Sequence, residues 1–206
     1  MNLNIENELN IAGHLTVSKR YQDGSEEVVF DDHNIITSGM GIGLSHLFSL
    51  VGSDKITDFQ IDRFQVGVSG DDPNDEIADR YELVGPLTAL DEYIEEYSNL
   101  YVVTGHIIKG STASVAAEDN LYGIIPYNQI TRLDSRTVRF TIVLDETVAN
   151  DLQRDGEDSL LNEIGLFMKN IKKNDPPAPI LVAYRQFSGI RKTDDFALVF
   201  RWSITF

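Results

Sequence analysis

From Phe196 to Phe206 the even positions read Phe196, Leu198, Phe200, Trp202, Ile204 and Phe206, while Arg201, Ser203 and Thr205 hold much of the alternate face. Successive side chains of an extended backbone point to opposite faces, so this alternation predicts a half-buried strand. The same pattern recurs. "TVRFTIVL" sets Val138, Phe140, Ile142 and Leu144 against Thr137, Arg139 and Thr141; "RFQVGVSG" aligns Phe64, Val66 and Val68; "NIAGHLTVSKRY" aligns Ile11, Leu15 and Val17. "SNLYVVTGHIIKG", "EIGLFMKNI" and "PILVAYRQFSGI" read as further strands, the last opening as an apolar run suited to burial on both faces. Asp23-Gly24-Ser25 reads as a hairpin turn, "SGDDPNDEIADR" as a loop, and the proline-rich "KNDPPAPI" as a rigid connection between two strands.

One stretch departs from period two. In "NIITSGMGIGLSHLFSLVG" Met40, Leu44, Leu47, Phe48 and Val51 fall on one helical face, Thr37 or Ser38 suits the N-cap, and Gly52 stands where a helix-ending glycine belongs. Weaker helical turns are expected at "TALDEYIEEY" and "DETVANDLQRD". The fold expected from these elements is mainly β: an antiparallel β-sandwich with one short helix near residues 38–51 and long loops. It forms a single domain over residues 1–206, with 82–129 read as an insertion.

Gly39, Gly41 and Gly43 raise the question of a phosphate cradle. A dinucleotide fingerprint needs G-x-G-x-x-G after a strand in a βαβ frame, and a Walker loop ends in Gly-Lys followed by Ser or Thr. Neither spacing is present, and no lysine follows, so the glycines are expected to let the helix pass close to another backbone. His14, His33, His46 and His106 are scattered, the acidic "GDDPNDE" lacks the calcium-loop pattern, and no G-x-S-x-G frames a serine. The sequence thus offers no catalytic set, no cofactor site and no metal site.

Charge narrows the partners. Seventeen Lys and Arg against thirty-three Asp and Glu give a formal charge of −16, a field that repels nucleic acid and anionic membrane. The absence of cysteine excludes disulfides and thiolate chemistry. The first residues lack a charged n-region followed by an apolar run, and no segment reaches the ~18 apolar residues of a membrane helix. The expectation is a protein neither exported by a cleaved signal nor membrane-spanning. The terminal strand ends in Phe like that of an outer-membrane barrel, but the repeated alternating segments of a barrel are missing.

Three separated segments carry a resemblance. "HNIITSGMGIGLSHLFSLVG", "FQVGVSGDDP", and "LLNEIGLFMKN" with "LVAYRQFSGIRKTDDFALVFRWSITF" resemble, in order and spacing, a group of virion proteins of tailed bacteriophages. The matching positions include Asn34, Ile36, Thr37, Gly67, Gly70, Glu163, Gly165, Leu166, Phe167, Phe187, Lys192, Thr193 and Trp202. The resemblance implies a non-enzymatic structural component of a virion, in the tail or baseplate or at a fibre attachment point. Such a protein would be made in the host bacterial cytoplasm, would associate with itself as a homotrimer and would dock to other virion proteins. Asn34, Thr37, Gly39, Gly41, Gly43, Glu163, Gly165, Phe167, Lys192 and Trp202 would be its structural and assembly residues.

Two other placements suit the same chain: a head-decoration or head-fibre protein, and a receptor-reading module that binds host-surface glycan. The tyrosines at 93, 97, 101, 122 and 127 would be the platforms of the latter. On physical grounds Glu163, set among Leu161, Ile164 and Leu166, calls for a partner such as Lys192 or Arg191. Gly165 leaves room for a ring or chain against its strand. Trp202 is expected in the core with its indole N–H bonded locally, or else as an intersubunit anchor.

Overall fold

The computed structural model describes residues 11–50, 52, 55–67, 123–151, 153–154, 157–158, 160–169 and 179–206. Among the described residues the strands are β1 Ala12–Tyr21, β2 Glu26–Ile36, β3 Ile61–Gly67, β4 Gly123–Ile124, β5 Ile130–Arg132, β6 Thr137–Leu144, β7 Gln153–Arg154, β8 Glu157–Asp158, β9 Leu161–Met168, β10 Ile180–Ile190 and β11 Phe196–Thr205. The strand expected in "SNLYVVTGHIIKG", the helical turn at "TALDEYIEEY", the loop at "SGDDPNDEIADR" and most of the 82–129 region lie outside the described residues.

Among the described residues every strand pair is antiparallel, and nine strands share one sheet in the order β4-β3-β9-β10-β2-β1-β11-β6-β5. The expected mainly antiparallel β fold with one short helix is present, and β7 and β8 pair apart from the large sheet as a two-stranded one. β2 is the joint: residues up to Asn34 pair with β1, whereas Ile35 and Ile36 pair with Tyr184 and Ala183 of β10.

A flat nine-stranded sheet would hold its edges about 38 Å apart. The edge strands β4 and β5 are instead joined by residues 125–129 alone, a span that reaches about 20 Å at full stretch. The sheet must curl. Phe187 on β10 and Phe200 on β11 meet with ring centroids 6.0 Å apart although β2 and β1 lie between their strands. The result is a curled, nearly closed half-barrel. Its inner face collects Leu15, Val17, Phe64, Val66, Phe140, Ile142, Leu144, Ile164, Leu166, Val182, Phe200, Trp202 and Ile204 in one core.

The β1–β2 hairpin turns at Gly24, whose φ of 84° suits glycine, and the Asp23 carboxylate accepts from both the backbone N–H and the hydroxyl of Ser25. α1 spans Ser38–Phe48, with Ser49 as its C-cap and Gly52 beyond it at φ 70°. Two expectations need correction. Phe48 is not on the buried face; it is 84% exposed, while Met40 is buried and Leu44 and Leu47 pack on the core. The segment 145–151 is a series of turns, because Ala149 and Asp151 take positive φ and no helix continues through them.

Candidate functional site

The corner where β2 becomes α1 is fixed to β10. Thr37 is the N-cap residue, yet its hydroxyl does not cap the helix; it donates to the Leu181 carbonyl at 2.6 Å, and its N–H donates to the Val182 carbonyl at 3.1 Å. A β-carbon at Gly39 would land on the Leu181 carbonyl oxygen, and one at Gly43 on the Met168 sulfur. Gly41 is different: a β-carbon there would meet nothing within 4 Å. The packing role expected of the three glycines thus applies to two. Asn34 folds its amide over Gly13, its cross-strand partner, and donates to the Ile35 carbonyl at 3.1 Å.

Glu163, Gly165 and Phe167 share the outer face of β9. Glu163 is buried, and the Tyr184 hydroxyl donates to it at 2.6 Å. Two glycines on this face leave room for their neighbours. Gly67, opposite Glu163 on β3, has its β-carbon position occupied by the Glu163 carboxylate, and Gly165, opposite Tyr184, is overlain by Leu181 and by the Phe167 ring.

Lys192 is elsewhere. Its ammonium donates to Asn150 Oδ1 at 2.9 Å and the Thr193 carbonyl at 2.6 Å and lies 5.3 Å from the Phe196 ring centroid. It fastens the loop after β6 and does not neutralise Glu163. Burial pushes its pKa down, against the pull of Glu146, Asp145 and Asp194. Arg191 reaches Asp151 at 3.4 Å. Trp202 is fully buried between Leu15 and Phe140 in register, but among the described residues its Nε1 finds no acceptor, contrary to the expected local bond.

The fold also creates a site that periodicity does not disclose. α1, the 3-10 turn Ile56–Phe59, β5, β6, β9 and Phe206 enclose an apolar cleft of about 520 Å³. Met40, Leu44, Leu47, Phe59, Phe140 and Met168 form its interior, and Thr57, Gln60 and the Tyr127 hydroxyl are its polar contributions. Ile56 and Tyr127 on its lining are 71% and 74% exposed. This lining supplies contact area and shape; among the described residues it presents no carboxylate, imidazole or amine side chain. His46, in the last turn of α1, stacks on Phe59 beside it, with centroids 5.8 Å apart. Neither Ile56 nor Tyr127 was marked by alternation, because each sits in a short turn. Tyr127 is singled out in the sequence only as one of the clustered tyrosines, and Ile56 shows only as a large apolar side chain among polar turn residues in "KITDF".

The polar outer face carries ordered charge. Arg201 forks onto both oxygens of Glu26 at 2.8 and 2.9 Å, and Arg185 reaches Asp32 at 2.7 Å. Glu26 is held below its usual pKa by the Arg201 bond, and Asp32 by the His33 backbone N–H and then Arg185. The fold brings His14 and His33 together across β1 and β2, ring centroids 5.6 Å apart. Among the described residues no three His, Asp or Glu converge as metal ligands.

Comparison of the chain with protein families, with curated proteins and with solved structures finds no match in any of the three.

Proposed function

We propose that this chain is a non-enzymatic structural component of a tailed-phage virion, self-assembling and docking to other virion proteins in the tail or baseplate or at a fibre attachment point. The observation that carries the reading is apolar surface left uncovered around the cleft. Ile56 and Tyr127 stand exposed on its rim, and α1, which lines it with Leu44 and Leu47, ends in the exposed Phe48. Exposed apolar area of this kind marks a contact surface. The residues behind the phage resemblance support the reading from another side, since Thr37, Gly67, Glu163, Gly165 and Phe167 are devices for close packing of backbone and side chains.

Light scattering of the purified protein tests self-association, with a homotrimer expected. Immunogold labelling of intact virions tests placement, with label on the tail or baseplate expected. A protein that stays monomeric and is missing from purified particles would remove this reading; label on the head would move it to capsid decoration.

A further inference from the structure

We propose that the free edge of β6 at Thr141 and Val143 takes an extended, cationic segment of a partner protein as an added strand. The inference rests on the docking role proposed above and names its chemistry.

The edge follows from register. Leu133 N–H donates to the Thr137 carbonyl on the β5 side, and Phe206 N–H donates to the Arg136 carbonyl on the β11 side. Backbone direction alternates along a strand, so Thr137, Arg139, Thr141 and Val143 turn their N–H and C=O groups away from β11. β5 covers β6 only from Val138 to Phe140. Past that point Thr141 and Val143 offer both groups to an open edge, with no backbone partner among the described residues. Beside this edge lies a slot of about 470 Å³, lined by Ile142, Leu144 and Val148 on one wall and by Phe64, Ile124 and Ile125 on the other. An added strand would bond to the edge through its main chain and send alternate side chains into the slot.

Charge selects the occupant. Asp145 lines the slot at the end of β6, kept ionised by the Thr147 hydroxyl and N–H, which lower its pKa. The whole chain carries −16. A second copy would bring its own −16 to a chain of −16, whereas a segment with alternating valine-like residues and lysine or arginine is attracted.

The test uses the full chain and an acetylated, amidated peptide of alternating Lys and Val, titrated by NMR. The expected result is shifts and slowed exchange at the Thr141 and Val143 amides. Val143→Pro removes an edge donor without touching the β11 ladder and abolishes binding. Asp145→Asn keeps the acceptor for Thr147, loses the charge and weakens binding about threefold. A peptide N-methylated at alternate amides does not bind the unaltered protein, which covers the case of a misfolded variant. The proposal is overturned by silence at about millimolar peptide, by equal binding of a Glu-Val peptide, by binding indifferent to Val143→Pro in a folded variant, or by a fall in oligomeric mass in that variant, which would make a second copy the occupant. Virion labelling reads separately: an inert edge on a protein found in virions sinks this inference alone, and peptide capture by a protein absent from virions sinks the functional reading alone.

Discussion

Gly39 and Gly41 stand two residues apart in one helix and answer to different physics. Gly39→Ala drives a β-carbon into the backbone of β10 and is expected to destabilise the protein by about 2 kcal/mol or more, as overpacking against an unyielding neighbour does. Gly41→Ala meets open space and is expected to stabilise by about 0.5–1 kcal/mol, because alanine loses less backbone entropy in a helix. Urea unfolding of the two variants should show midpoints moving in opposite directions. At the outer face of β9, Tyr184→Phe deletes a donor to buried Glu163 and should cost about 1–3 kcal/mol. Asp62 gives the pH test. Burial raises its pKa, opposed by Arg63 and Lys169, so the folded state holds its proton more tightly than the unfolded one. Its contribution to stability falls as pH rises from the unfolded value of 3.8 through the folded pKa. The melting temperature of Asp62→Asn should therefore exceed the wild type at neutral pH, with the gap closing as pH falls toward 3.8.

The helix shows where sequence reading succeeds and where it stops. Its existence and start are legible from spacing, but Phe48 lies on the i, i+4, i+8 row from Met40 and still points to solvent, because the sheet meets the flank carrying Gly39, against β10, and Gly43, against Met168 of β9. Phe48→Ser should leave unfolding within about 0.5 kcal/mol of the wild type while shifting light scattering toward smaller species. Strands on the inner face were equally legible: β6 buries Phe140, Ile142 and Leu144 and exposes Val143, as alternation demands. Alternation says less about β9, where all eight residues are buried and the two faces differ by neighbours more than by polarity. An apolar strand around Glu163 calls for a partner, and either Lys192 or Arg191 suits on charge alone, because a sequence does not show where a lysine's ammonium ends up. β10 supplies a Tyr184 hydroxyl to Glu163, and the Lys192 ammonium goes to the loop after β6. The cleft was illegible because six separate segments build it, and no local window contains its shape.

For the molecule as a whole, curvature and charge act on association in opposite ways. The half-barrel leaves apolar surface at its opening, which favours contact, while −16 of net charge opposes the approach of like copies. Raising salt should therefore strengthen self-association and weaken capture of the cationic peptide, the screening length shrinking from about 10 Å at 0.1 M toward 3 Å at 1 M. Sedimentation and peptide titration across that range should move in opposite senses. The β1–β11 ladder sets a further property, a mechanical one. Ala12 sits opposite Thr205 at one end of the ladder and Tyr21 opposite Phe196 at the other. Tension applied between Ala12 and Thr205 would load the cross-strand bonds singly, peeling the ladder like a zipper. Tension applied between Ala12 and Phe196 would load the whole row at once, in shear. Where a neighbour grips this chain thus decides whether it tears at low force or holds.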